Sequence, residues 1–160
     1  MITNNVTRFL ESRKIPFSAF ELPAEKIGAV ESAQLLGVPA GQVYKTIVVT
    51  RLKAGKPILA VIPGDREVDL KAVASAMGEK KVQIPTQKEA ETLTSLLSGG
   101  ISPLALINRG FQTVLDTSVK DFEEIHISGG QRGLNIRLKV SDLVALTRAK
   151  IEPISMAAAE

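Results

Sequence analysis

Gln42-Val43-Tyr44-Lys45-Thr46-Ile47-Val48-Val49-Thr50-Arg51-Leu52, then Lys53-Ala54-Gly55-Lys56-Pro57, then Ile58-Leu59-Ala60-Val61-Ile62-Pro63, is the stretch on which the fold turns. Val43 to Leu52 is dense in β-branched residues, which suit a pleated surface, and Ile58 to Pro63 is a second apolar run of strand length. The Gly and Pro between them supply a turn, so the segment predicts a β-hairpin. Alternation along its first strand puts Lys45 on one face with Val43, Ile47 and Val49, where an unpaired ammonium is costly to bury. Either its stem lies on apolar surface with the amine in water, or it is held at a pocket rim for a phosphate or a developing oxyanion. Thr46 points the opposite way on an ideal pleat and joins Lys45 only if the strand twists.

Working outward, polar Asn4 and Asn5 precede Val6, Phe9 and Leu10, a helical spacing that predicts a first helix ending before Pro16. Phe17 to Leu22 reads as a strand, and Val30, Ala33 and Leu36 as a helix closed by Gly37 and Pro39. Asp69 caps a helix carrying Leu70, Val73, Ala74 and Met77 that stops at Gly78. A short strand, Lys81 to Ile84, precedes Thr86-Gln87-Lys88-Glu89, a capping box opening a helix through Leu93. Gln112 to Asp116, Glu124 to Ser128 and Leu134 to Leu138 read as strands, and Ser141 as the cap of a helix with Leu143, Val144 and Leu146. Hairpins mixed with helices, without regular βαβ alternation, predict an α+β fold: a mixed, largely antiparallel, barrel-like sheet with flanking helices. No repeat or long linker divides the chain, so residues 1–155 are expected to form a single domain with a loose tail at 156–160.

Composition excludes several functions. A chain of 160 residues with 44% hydrophobic residues and no cysteine has neither disulfides nor a thiolate nucleophile, and a reducing cytoplasm is an adequate home for it. Met1 to Asn5 has no basic flank or apolar run of a signal, and no apolar stretch reaches membrane-spanning length, so no membrane partner is expected. A net charge of +3 permits an anionic partner but only a local grip on it, and one Tyr, five Phe and no Trp rule out a platform of stacked bases. The single histidine, His126, cannot build a conventional triad, and no zinc ligand set exists, so neither metal nor cofactor is expected. Flanked by Ile125 and Ile127, His126 reads as a half-exposed strand residue. Gly41 to Thr46 ends like a P-loop but has Tyr44 where the second glycine is required.

Two glycine loops carry the remaining chemistry. Gly99-Gly100-Ile101-Ser102-Pro103 allows backbone to approach a ligand closely, with Pro103 stiffening its exit. Ser128-Gly129-Gly130-Gln131-Arg132-Gly133 is a glycine-dense loop with one cation, suited to a nest of donors for an anion. Each taken alone also fits an ordinary turn.

With Gln42-Val43-Tyr44-Lys45-Thr46, Asp69-Leu70-Lys71, Gly99 to Pro103 and Ser128 to Leu134 in this order, the chain resembles the YbaK/EbsC proteins and the related prolyl-tRNA synthetase editing domain over nearly its whole length. The resemblance implies that fold and a trans-editing deacylase that frees proline tRNA mischarged with cysteine or alanine, with Lys45 as the key functional residue. It implies Lys45, Gly100 and Ser102 as catalytic residues. Phe20, Thr46, Gly99, Ile101, Pro103, Ser128, Gly129, Gly130, Arg132 and Asn135 would bind substrate. The partners implied are the 3′ acceptor end of a mischarged tRNA and a prolyl-tRNA synthetase that delivers it. No protein nucleophile is needed when water, or the thiol of a cysteinyl group closing to a thiolactone, attacks a positioned and polarised ester. Phe20 stands where the cysteine-directed members carry tyrosine, and Asn135 where they carry aspartate, so the substrate group that is hydrogen-bonded should differ. Alternatives of other classes are a non-catalytic RNA- or synthetase-binding adaptor, and an esterase of small aminoacyl esters.

Overall fold

The predicted hairpin forms, pairing Tyr44 with Pro63 through Val49 with Ile58 in antiparallel register. The computed structural model describes residues 2–158. In chain order its elements are α1 (Asn5–Ser12), β1 (Phe17–Glu21), α2 (Ala29–Leu36), β2 (Tyr44–Arg51), β3 (Ile58–Pro63), β4 (Arg66–Val68), α3 (Leu70–Ala76) and β5 (Val82–Gln83). There follow α4 (Gln87–Thr94), β6 (Gln112–Asp116), β7 (Glu124–Ser128), β8 (Leu134–Lys139), α5 (Val140–Thr147), β9 (Lys150–Glu152) and β10 (Ser155–Ala157).

Local chemistry sets the helix ends. Asn4 closes a capping box with Thr7 at the start of α1, Asp69 accepts from the Ala72 N–H at α3, and Thr86 and Glu89 form the capping box of α4. Gly37 ends α2 in the left-handed region at φ 72. Ser141, expected to cap α5, lies inside that helix. Lys139 is the N-cap and makes no side-chain cap bond, because β8 runs directly into α5.

The strands form a five-stranded sheet in the order β5-β2-β3-β6-β9, a three-stranded sheet β1-β8-β7 and a two-stranded ribbon β10-β4. Pairing is antiparallel except where β6 lies parallel to β3 and to β9. The two larger sheets meet at an isolated bridge between Val43 and His126, and among the described residues they do not close into a hydrogen-bonded barrel. The main core lies between them: Tyr44, Val61 and Leu115 from one face Ile125, Ile127, Ile136 and Leu138 from the other, with Leu10 of α1 and Leu143 of α5 sealing the ends. A second core packs α3 on the other side of the five-stranded sheet, against Val49, Ile58, Ile62 and Val114.

The C-terminal segment is tied down where a loose tail was expected. Met156 and Ala157 belong to β10 and pair with Glu67 and Arg66 of β4, whereas residues 159 and 160 lie outside the described residues. The buried Asp116 carboxylate holds this segment by accepting from the Ile154 and Ser155 N–H groups, both at 3.0 Å.

Candidate active site

A cleft of about 340 Å³ opens beside the first half of β2. From Tyr44 to Val49 this strand pairs with β3 on one edge, while its other edge meets β5 only at Thr50 and Arg51 and β7 only through the bridge at Val43. The cleft runs along that open edge. It is therefore lined by consecutive residues, Val43 to Ile47, and Thr46 joins Lys45 although their side chains alternate.

Lys45 is half-buried there and its ammonium donates to the Gly64 carbonyl at 3.2 Å. Burial pulls its pKa below the usual lysine value, opposed by the negative charges of Glu67 and Asp65. Gly64 has to be glycine, since a Cβ would stand 2.4 Å from the Ala29 Cβ and 3.0 Å from the Val43 carbonyl oxygen. The start of α2, which lines the cleft at Gly28 and Ala29, directs the positive end of its dipole into the same space. Behind Lys45, Tyr44 reaches Ser118 at 2.7 Å, and burial pushes its phenol up to about 12, so it stays neutral.

The opposite wall comes from the two glycine loops, Ser98, Gly99 and Ile101 from one and Ser128, Gly133, Leu134 and Asn135 from the other. The loops touch backbone to backbone: a Cβ on Gly100 would stand 2.9 Å from the Gln131 Cα and 3.0 Å from the Arg132 nitrogen. Arg132 fastens the seam from behind by donating to the Ser98 carbonyl at 2.6 Å.

Of the residues singled out from sequence, Lys45, Thr46, Gly99, Ile101, Ser128 and Asn135 line this cleft together. Phe20, Gly100, Ser102, Pro103, Gly129, Gly130 and Arg132 do not line it. Ser102 is fully buried and caps a 3₁₀ turn by accepting from the Leu104 N–H, which removes it from reach of substrate, and Pro103 is buried as the first residue of that turn. The Gly100 N–H is committed to the Leu97 carbonyl, so it is not free for an oxyanion. The Gly129 N–H bonds the Leu134 carbonyl and the Gly130 N–H the Ser128 hydroxyl, so these two donors of the expected nest are already engaged. Arg132 belongs to the seam. Phe20 lies over His126 with ring centroids 5.5 Å apart, under the Arg137 guanidinium.

His126 also departs from expectation: it is 1% exposed rather than half-exposed, because the bridge to Val43 and the Phe20 ring cover that face of β7. Its Nδ1 meets the Asn135 Oδ1 at 2.7 Å, and burial lowers its pKa, so the ring is neutral near pH 7. Sequence reasoning passed over Glu25 to Ala29 and Ser32, which wall the cleft from the α2 side. The Pro63-Gly64-Asp65 turn that receives Lys45 also went unremarked, although Pro-Gly-Asp is itself a turn signal. Among the described residues no group of three or more His, Asp or Glu could hold a metal ion, and no helix is long and apolar enough to cross a membrane.

A mixed sheet with an open strand edge, a half-buried lysine beside it and two apposed glycine loops define the architecture of a small α+β domain with one cleft along that edge. Residues 24–146 match the aminoacyl-tRNA editing domain family, and the chain belongs to it. It is 34% identical over 94% of its length to EbsC of Enterococcus faecalis, of which the match covers 92% and whose name makes it a candidate Cys-tRNA(Pro)/Cys-tRNA(Cys) deacylase. It is 24% identical over 79% of its length to the multifunctional Ser/Thr-tRNA deacylase ProXp-y of Escherichia coli K12, covering 78% of that protein. A crystal structure described as a candidate trans-editing enzyme for prolyl-tRNA synthetase superposes with a TM-score of 0.82 at 26% identity, covering 98% of this chain and all of that one.

Proposed function

We propose that the chain is a trans-editing deacylase that releases a small amino acid from the 3′ acceptor end of a mischarged tRNA, proline tRNA in particular. The carrying observation is the half-buried Lys45 ammonium, held on the Gly64 carbonyl inside a cleft whose other lining groups include backbone, small hydroxyls, the Asn135 amide and, on the α2 side, Glu25 and Lys26. The one histidine lies behind the cleft wall, bonded to Asn135, so a histidine-activated acyl-enzyme route has no support.

In this reading water adds to the acyl carbonyl carbon and the carbon–oxygen bond to the ribose breaks. The displaced ribose oxygen takes a proton derived from the water, leaving free amino acid and tRNA. Lys45 stabilises the oxyanion or anchors the terminal nucleotide, and the backbone of Gly99 and Ile101 orients the ester. Ser128, Asn135 and Thr46 surround the acyl group. For a cysteinyl group the thiol can attack its own carbonyl, breaking the same bond and releasing a thiolactone.

A net charge of +3 gives a weak, salt-sensitive hold on tRNA, so a prolyl-tRNA synthetase that hands over the substrate fits as a partner, and the cytoplasm as the compartment. Single-turnover release from alanyl- and cysteinyl-tRNA of the proline type tests the reading. Accelerated release abolished in Lys45→Ala supports it, whereas tight binding with no acceleration, unchanged in Lys45→Ala, identifies a non-catalytic adaptor.

A further inference from the structure

His126 and Asn135 are the two buried polar side chains on the sheet face behind the cleft, 1% and 5% exposed. They lie on adjacent antiparallel strands, where Ser128 pairs with Asn135 and His126 with Arg137. The 2.7 Å contact between His126 Nδ1 and Asn135 Oδ1 needs one proton, and two arrangements supply it. If Nδ1 carries it, His126 donates to the Asn135 oxygen and Nε2 keeps a bare lone pair. If the amide is turned over, Asn135 donates instead and the ring proton sits on Nε2. That nitrogen is enclosed and has no hydrogen-bond partner among the described residues. A buried N–H without an acceptor is rarer than an acceptor without a donor, and the positive charge of Arg137 opposes a further proton on the ring. The first arrangement therefore holds, with Asn135 Oδ1 turned back to the histidine.

The other end of the amide faces forward. Asn135 lines the cleft, its Nδ2 makes no hydrogen bond among the described residues, and unlike Nε2 of His126 it is not sealed from solvent. We propose that His126 is a positioning residue that locks the Asn135 amide so that Nδ2 offers a neutral donor to the acyl pocket, making this subsite selective for a small acyl group with a side-chain hydroxyl oxygen. An ammonium has no lone pair to offer this donor, and a methyl group leaves it unpaired. The proposal rests on the deacylase reading above and narrows its substrate.

The test compares kcat/KM for seryl-, alanyl- and cysteinyl-tRNA carrying the same tRNA body, in wild type, Asn135→Leu, His126→Leu and His126→Asn. The wild type should favour seryl over alanyl by about tenfold or more, the worth of a neutral hydrogen bond whose loss strands a donor. Asn135→Leu removes the donor at similar volume and should bring that ratio to about one. His126→Leu frees the amide to turn and should cut the ratio, while His126→Asn, which restores a donor near the Nδ1 position, should recover most of it. A destabilised wall alone would lower all three rates together and leave the ratio unmoved. A wild-type ratio near one, or a ratio unchanged in His126→Leu with alanyl release retained, overturns this inference while leaving the deacylase standing. Absence of release from all three substrates overturns both.

Discussion

Adding one methyl group at Gly100 tests whether the cleft depends on contact between the two loops. The new Cβ would stand 2.9 Å from the Gln131 Cα and 3.0 Å from the Arg132 nitrogen and the Gln131 carbonyl carbon. All three are backbone atoms, so no side chain can swing aside, and reaching an ordinary separation of about 3.5–4.0 Å parts the loops by roughly half an ångström or more. Gly100 is not in the left-handed region, so the substitution adds crowding without dihedral strain. Overpacking of this kind costs about 1–3 kcal/mol, which shifts a urea midpoint by about 1 M at a typical slope of about 2 kcal/mol per molar. Because Gly99 and Ile101 lie on the displaced loop, catalysis should fall by about tenfold or more, given that an ångström of misplacement can cost about a hundredfold. Gly41→Ala is the control: it lies just ahead of β2, and nothing lies within 4 Å of its added Cβ. Unfolding curves and single-turnover release are measured for both variants. If Gly100→Ala unfolds and reacts like Gly41→Ala, the seam does not set the site.

Three other outcomes follow from the geometry. In the proposed role Lys45 works as a cation, and burial lowers its pKa, so the rate enhancement over spontaneous hydrolysis should decline as pH rises before the ordinary lysine value of about 10.4 is reached; an enhancement flat through that range argues against a charged role. Asp116→Ala strands the buried Ile154 N–H and loses two further backbone bonds, and should destabilise by about 3 kcal/mol or more in urea unfolding. Burial alone would raise the Asp116 pKa, but bonds from Ser118, Ile154 and Ser155 outweigh it and hold it below the usual value. Its stabilisation is thus complete above the unfolded value of about 3.9 and is lost as pH falls through the lower folded one, a loss the alanine variant should lack. His126 also has a lowered folded pKa, so the unfolded chain binds its proton first, and stability should drop as pH falls below about 6.5. His126→Asn should flatten that limb; a slope identical to wild type would mean another group is responsible.

The elements with a local signature were legible in the sequence. The hairpin, the strands Gln112 to Asp116 and Glu124 to Ser128, and the capped helices each carry their own alternation, cap or turn residues, and these agree with the structure. Elements stabilised only by distant partners were not legible: β9 and β10 are three residues each, and their reason to exist is pairing with β6 and β4. The same division runs through the site. Lys45 stood out because an ammonium breaks an apolar face, and Gly99 because paired glycines are uncommon. Ser102 and His126 misled because residue type alone does not say which way a side chain turns: one hydroxyl went into a cap, and the ring was sealed by a bridge from another strand. Nor does alternation within β2 reveal that one of its edges stays open, which depends on how far β5 extends.

The turn that receives the Lys45 ammonium leads into β4, whose pairing partner is β10, downstream of both glycine loops. A growing polypeptide therefore makes the lysine and both glycine loops before it can brace the carbonyl and acidic groups around that lysine. Until residues 155–157 clear the ribosome, β4 lacks its partner, so a nascent chain should acquire activity abruptly once they emerge rather than by degrees as the loops are made.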